Sequence, residues 1–390
     1  MAERLNIGGI VEVVRSVAGV AGSVGLHEPE FCGNEKSYLN DCIDSTFVSS
    51  IGKFVDRFEE MLSEHTGSRH AIACVNGTAA LQVALQLAGV RANDEVIVPA
   101  LTFVATANSA SFLGAVPHFI DSEDRTLGLS AKALAERLEA IGEKSQEGVR
   151  NSETGRRIAA IVPMHAFGHP VDLSGVLAVA EAWSLPMVED ATESLGTLYR
   201  NRHTGTFGLL SALSFNGNKI ITTGGGGAIL TNDDELARRA KHITTTAKMN
   251  HPWAFDHDEV GYNFRLPNLN AALGCAQLEQ LEGFVQRKRR LADRYRQAFD
   301  GLSGIRVFIE PEGARSNYWL NCLLIDENVA VRRDELLTAL NQAGLMARPA
   351  WTPIHRLPMY RKCPRGCLDV AEDLEQRIVN VPSSARLAHG

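Results

Sequence analysis

From about residue 69 onward, short and continuously apolar runs alternate with stretches of helical periodicity. Ala71-Ile72-Ala73-Cys74-Val75 is the first run; Asn76-Gly77-Thr78 interrupts it, and a helical pattern follows from Ala79 to Leu87. Further strands are predicted at 95–98, 116–121, 158–164, 186–189, 211–215 and 228–231, with a helix over 174–183. A strand apolar at every position, rather than at alternate ones, is covered on both faces. Such strands alternating with helices predict an α/β fold, with a mainly parallel central sheet and helices on both faces.

The rhythm changes near residue 260. A long helix is expected over 268–299, then an isolated strand region around 319–325 and a helix over 333–343. This divides the chain into an N-terminal helical segment (1–30), a large domain (31–260) and a small C-terminal α+β domain (261–390). An amphipathic helix is expected over 10–20. The stretch 142–156, rich in Glu, Ser, Gly and Arg, reads as a solvated loop.

Composition excludes more than it identifies. With 45% hydrophobic and 22% charged residues, the 390-residue chain has the profile of an ordinary globular protein. Its net charge of -7 argues against nucleic-acid binding. The run Arg287-Lys288-Arg289-Arg290 reads as a solvated helix face. Glu12 and Arg15 interrupt the apolar stretch from Ile7 to Leu26, so neither a secretory signal nor a membrane span is expected, and a cytoplasmic location is. The seven cysteines are scattered, and Cys363-Pro-Arg-Gly-Cys367 has no matching second pair. Neither a disulfide framework nor a metal site is expected.

In an open parallel sheet, ligands bind beyond the carboxyl ends of the strands, and three segments place reactive groups there. Asn76-Gly77-Thr78-Ala79 sits between a strand and a helix, where free N–H groups and a hydroxyl suit an anion; it also fits an ordinary turn with an N-cap. Asp190, in Val188-Glu189-Asp190-Ala191-Thr192-Glu193, ends a strand, either to keep a heterocyclic nitrogen protonated or to cap a helix. Lys219 follows Ser214-Phe215-Asn216-Gly217-Asn218 and precedes Ile220-Ile221-Thr222-Thr223 and the glycines 224–227. A lysine so enclosed can lose its proton through burial and attack a carbonyl; beside a flexible glycine loop it can also be a plain surface residue. A phosphate cradle, an acid for a ring nitrogen and a lysine for an aldehyde together match the three ends of pyridoxal 5'-phosphate (PLP).

With these segments in place, the chain resembles the DegT/StrS-type nucleotide-sugar aminotransferases, which are fold type I PLP enzymes. The resemblance runs through Val48-Ser49-Ser50-Ile51-Gly52-Lys53, Asn76 to Leu81, Leu101-Thr102-Phe103-Val104-Ala105-Thr106, Pro163 to Gly168, Glu189 to Gly196, Ser214 to Gly227, Gly261 to Arg265 and Arg348 to Tyr360. It implies that Lys219 is the Schiff-base lysine and proton shuttle, and that Asp190 pairs with the pyridine nitrogen. Glu193, where many relatives carry Gln, lies near the ring oxygen. Gly77, Thr78 and Ser214 hold the phosphate, Phe103 stacks on the ring, and Asn263 reaches the phosphate of a neighbouring subunit's cofactor, so a homodimer with shared active sites is implied. His165, Arg265, Trp319, Arg348 and His355 are implied substrate contacts, with Trp351 beside them. Against this stand domain packing for His355, Arg348 and Trp351, and a capping role for His165.

Asn216-Gly217-Asn218-Lys219 with its four glycines is similar to the subgroup that aminates UDP-linked 4-keto-6-deoxy sugars in bacillosamine and legionaminic acid pathways. The expected reaction moves an amino group from L-glutamate to C4 of such a sugar. A sugar dehydratase on the same scaffold would carry His in place of Lys219. A non-catalytic regulatory relative would have lost Lys219 or Asp190, and a Rossmann nucleotide binder would show Gly-x-Gly-x-x-Gly after its first strand.

Overall fold

The computed structural model describes residues 5–388. Seven strands form the central layer: β1 (His70–Cys74), β2 (Glu95–Pro99), β3 (Val116–Ile120), β4 (Arg157–Ile161), β5 (Val188–Asp190), β6 (Leu210–Ser214) and β7 (Gly227–Thr231). Hydrogen bonding orders them β3-β2-β4 and β5-β6-β7-β1, and parallel bridges from Ile161 to Met187 and from Met164 to Asp190 join the two halves. Every pairing is parallel except those of β7, which is antiparallel to β6 and β1. The segment 215–226 between β6 and β7 contains no helix. A parallel return needs a crossover, usually a helix, so β7 comes back reversed. The apolar runs are covered on both sides as expected: all five residues of β2 are buried.

Helix α1 (Ile7–Ala18) ends at Gly19, whose φ of 63° closes it in the left-handed conformation that glycine adopts without cost. That cap stops the helix short of Val20. Helix α2 (Gly77–Leu87) follows β1 and is buried at every position from Ala79 to Leu85. Because β1, β5 and β6 run the same way, their carboxyl ends meet on one edge, where α2 begins.

Three departures from the sequence pattern have physical reasons. The polar stretch 142–156 is no free loop: 142–145 and 148–151 form a hairpin that extends the sheet from β4. Its polar composition suits an edge that faces water, and its two anchors are the buried Val149 and Asn151, whose amide donates to buried Glu95 at 2.8 Å. The long helix is two, α3 (Asn268–Leu278) and α4 (Leu281–Ala298). Glu279 at the break is held by Asn34, Tyr38 and Arg57, and Gln280 donates to Glu35. No glycine or proline marks the site, so periodicity passes over it. The strand near 319–325 is not isolated either. β8 (Ile305–Val307), β9 (Asn321–Ile325), β10 (Arg348–Pro349) and β11 (Ile378–Val381) form an antiparallel sheet in the order β8-β9-β11-β10. α1 packs into the core beneath it, Ile10, Val14 and Val17 sharing one apolar cluster with Tyr295, Leu323 and Leu336. No helix among the described residues is long and apolar enough to cross a membrane.

Candidate active site

A cavity of about 320 Å³ opens where β1, β5 and β6 end. Gly77, Thr78 and Ser214 line one end, Asp190 and Phe103 the middle, and Glu193, Lys219 and Trp319 the other.

At the first end, Asn76 caps α2 by accepting the Ala79 N–H at 2.7 Å. The earlier N–H groups of a helix have no intrahelical acceptor and point along its positive end. The hydroxyls of Thr78 and Ser214, which line the same end of the cavity, likewise have no protein partner among the described residues, so donors suited to an anion converge here. Glycine allows the approach: a Cβ on Gly227 would lie 2.4 Å from the Asn76 carbonyl carbon and 2.6 Å from the Gly77 nitrogen. Both are backbone atoms that cannot swing aside. Gly227→Ala is therefore expected to push the start of α2 outward. It should cost about 1–3 kcal/mol of stability and weaken cofactor binding, both read from thermal melts with and without PLP.

Asp190 is the last residue of β5 and is buried. Its Oδ2 accepts the Thr106 hydroxyl at 2.7 Å, and Thr106 in turn meets Thr102 at 2.8 Å. Its Oδ1 accepts the Thr192 hydroxyl at 2.7 Å and the Thr192 N–H at 3.2 Å. These bonds fix the carboxylate's direction. Phe103, half exposed on the rim, offers a ring face over the same cavity.

Lys219 Nζ donates to Glu193 Oε1 at 3.2 Å and lies 3.9 Å from the centre of the Trp319 ring. The Trp319 indole N–H donates to the Asn218 carbonyl at 2.7 Å, tying the lysine turn to the small sheet. Glu193 Oε2 accepts the Phe167 N–H at 2.9 Å. Phe167 reaches it with φ of 56°, a strained conformation for an aromatic residue, and its ring stacks on Trp351 at 4.5 Å. Asn317, fully buried, donates to the carbonyls of Glu193 and Leu195 at 2.9 Å and accepts the Trp319 N–H at 2.8 Å. Burial raises the Glu193 carboxyl from 4.5 to about 7, against the opposing pull of Lys219.

A raised carboxyl pKa has a definite sign for stability. Glu193 contributes fully below about pH 4.5, where it is protonated both folded and unfolded; between 4.5 and about 7 only the unfolded chain releases its proton, so stability falls as pH rises. Glu193→Gln in cofactor-free protein is expected to remove this slope, so that melting temperatures of variant and wild type diverge in the variant's favour from pH 5 to pH 8.

The structure gathers Gly77, Thr78, Phe103, Asp190, Glu193, Ser214, Lys219 and Trp319 around one cavity. Arg348 and Trp351 line an adjoining cavity of about 640 Å³ that shares Asn218, Trp319 and Trp351 with the first. Three expected substrate contacts lie outside both. His165 is fully buried, 3.1 Å from Glu189. Burial works against the Glu189 charge, but His165 and the N–H groups of Gly205 and Gly208 hold that carboxyl below its usual range. Arg265 is buried against Glu59 at 2.7 Å, and His355 pairs with Glu372 at 2.9 Å and packs on Phe119. Each has its charge or ring engaged in the core. Asn263 is exposed, away from this chain's own cavity. Thr106, Phe167 and Asn317 carry positioning duties that no sequence signal marked beyond their lying in or near the quoted motifs.

The cradle of unpaired donors, the oriented Asp190 and the enclosed Lys219 fit the phosphate, ring nitrogen and aldehyde of one PLP molecule. On this sheet they define a fold type I PLP-dependent enzyme. The chain matches the model of the DegT/DnrJ/EryC1/StrS aminotransferase family over residues 30–390. It belongs to that family, and its cofactor is pyridoxal 5'-phosphate. GDP-perosamine synthase of Escherichia coli is 35% identical over 94% of this chain and 94% of its own length. That of Caulobacter vibrioides is 36% identical over 93% and 94%. Among solved structures, aminotransferase TlmJ from Streptoalloteichus hindustanus is 28% identical with a TM-score of 0.83, covering 93% of this chain and 94% of that one. Helicobacter pylori PseC, an aminotransferase involved in the biosynthesis of pseudoaminic acid, is 25% identical with a TM-score of 0.84, covering 94% and 97%.

Proposed function

We propose that the protein transfers an amino group from L-glutamate to C4 of a nucleotide-linked 4-keto-6-deoxy sugar, with UDP-2-acetamido-2,6-dideoxy-4-keto-hexose as the acceptor. The observation that carries the reading is Lys219, its amine 3.2 Å from a carboxylate in a cavity that continues into a larger one lined by Trp319, Trp351 and Arg348. PLP supplies the aldehyde that takes up the amino group and the ring that accepts electrons from the bond being broken. The protein's own residues do the rest. Lys219 would hold the aldehyde in the resting enzyme; once an incoming amine displaces it, its free amine would carry a proton between the two reacting carbons, a transfer that needs one positioned base. Asp190, oriented by Thr106 and Thr192, holds the proton on the ring nitrogen. Glu193, with a carboxyl near neutrality, holds or yields a proton beside the Lys219 amine. Trp319 and Trp351 exclude water and offer flat faces to a sugar, and Arg348 offers a charge to a diphosphate.

The UDP assignment rests on the similarity of Asn216 to Gly227 to UDP-sugar enzymes of the bacillosamine and legionaminic acid routes. The GDP-perosamine synthase relatives favour a second reading, a GDP-linked 4-keto sugar. Offering both keto-sugars with glutamate and weighing the products by mass spectrometry decides between them: amination of the UDP sugar supports the first reading, and exclusive amination of the GDP sugar supports the second.

We further infer a homodimer in which Asn263 reaches the partner's cofactor phosphate. Asn263 follows a loop that leaves Met249, Trp253, Phe255 and Val260 exposed, apolar surface that a second copy would cover. Light scattering is expected to give twice the chain mass, and Asn263→Ala to weaken PLP binding without dissociating the pair.

A further inference from the structure

Residues 25–28 form one wall of the larger cavity, in a segment fastened from both sides. The Val24 N–H donates to the Gly344 carbonyl at 2.9 Å, and the Met346 N–H to the Val24 carbonyl at 3.0 Å. The Ser383 N–H donates to the Leu26 carbonyl at 2.7 Å, and the Glu28 N–H to the Ser384 hydroxyl at 2.8 Å. The Gly25 N–H reaches the Glu28 carboxylate at 3.2 Å. The backbone around His27 is thus fixed, and the ring cannot be carried to a partner elsewhere.

The ring itself is unpaired. Both Nδ1 and Nε2 of His27 are buried without a hydrogen-bond partner among the described residues. Folded proteins seldom leave a buried polar atom unpaired, and a side chain with both of its polar atoms unpaired calls for an explanation. His27 lines the cavity of about 640 Å³ together with Asn218, Trp319, Arg348 and Trp351. Burial, and then the positive charges of Lys288 and Lys219, hold the imidazole well below its usual pKa, so it is neutral. A neutral imidazole offers one N–H and one lone pair. That pair of groups suits a substituent that both gives and takes a hydrogen bond. It suits a phosphate poorly, for which Arg348 is the better partner.

We propose that His27 is a specificity-determining residue that reads a hydroxyl or acylamino substituent on the sugar ring of the acceptor. This rests on the nucleotide-sugar reading above. The ligand completes the hydrogen bonding that the fold leaves open, with the sugar between His27 and the Trp319 and Trp351 faces and its reacting carbon toward Lys219.

The test titrates UDP-N-acetylglucosamine, an unreactive probe, and UDP alone by calorimetry into PLP-loaded wild type, His27→Phe and His27→Gln. Phe keeps a flat ring and deletes both polar atoms. Its dissociation constant for UDP-N-acetylglucosamine is expected to rise about tenfold or more, the effect of one lost buried hydrogen bond, while that for UDP stays within about twofold. Gln, which carries a donor and an acceptor, is expected to recover part of the loss. In both variants the cofactor's visible band and its bleaching by glutamate should be retained. Equal affinity of wild type and His27→Phe for the sugar nucleotide overturns the assignment. So does an equal weakening toward UDP, which would mark a structural role. If the wild type binds GDP-mannose instead, the same comparison is read with GDP-mannose and GDP. A wild type that binds neither sugar nucleotide overturns the nucleotide-sugar reading, and the role of His27 with it.

Discussion

Lys219→Ala is expected to lower transamination by about 10⁴-fold, the upper range for loss of a positioned acid–base group, and to remove the covalent attachment of the cofactor. Lys219 is the amine that the cavity places against Glu193 and the Trp319 face. Among the residues lining that cavity it is the one amine. Each half-reaction needs a proton moved between two carbons by one positioned base, so both should fail together. Single-turnover measurements with glutamate alone, and with the amine-loaded cofactor and keto-sugar, test this. Loss of one half-reaction with the other intact would mean that a second group moves the proton. Folding should survive, because the side chain is partly exposed and its contacts are confined to the cavity.

Asp190→Asn is expected to be the second-largest effect, a fall in kcat of about 10²–10³-fold with the cofactor still bound, comparable to losing one preorganised electrostatic contact. The amide keeps the shape and can still meet Thr106 and Thr192, but it cannot hold a proton on the ring nitrogen by opposite charge. Thr106→Val leaves the charge and removes one of the bonds that aim it, so a smaller loss, on the order of tenfold, is expected from one hydrogen bond to a charged group. Steady-state kinetics of the two variants side by side check this order; an Asp190→Asn enzyme as active as Thr106→Val would remove the ring-nitrogen role.

Much of this site was legible in the sequence because several of its residues stand at or just past the ends of largely apolar runs. Asn76-Gly77-Thr78, Asp190 and Ser214 punctuate such runs, and a parallel sheet brings those ends together. The orienting groups were less visible. Phe167 contributes through a backbone N–H in a left-handed conformation, which no side-chain pattern announces. Asn317 acts across more than a hundred residues of chain on Glu193 and Leu195. His165, Arg265 and His355 carry polar groups that suggest ligand contact, yet each is engaged by a carboxylate elsewhere in the chain. The hairpin at 142–151 was hidden because an edge element needs few apolar positions, and the break before Leu281 because distant side chains make it.

The most direct test is the visible spectrum of the purified protein with PLP, before and after L-glutamate, with Lys219→Ala beside it. The account predicts a yellow band from the lysine-bound cofactor in the wild type, bleached by glutamate and restored by the keto-sugar acceptor, and an altered band in the variant. A wild type that takes up no PLP, or that holds a band indifferent to every amino donor, would contradict it.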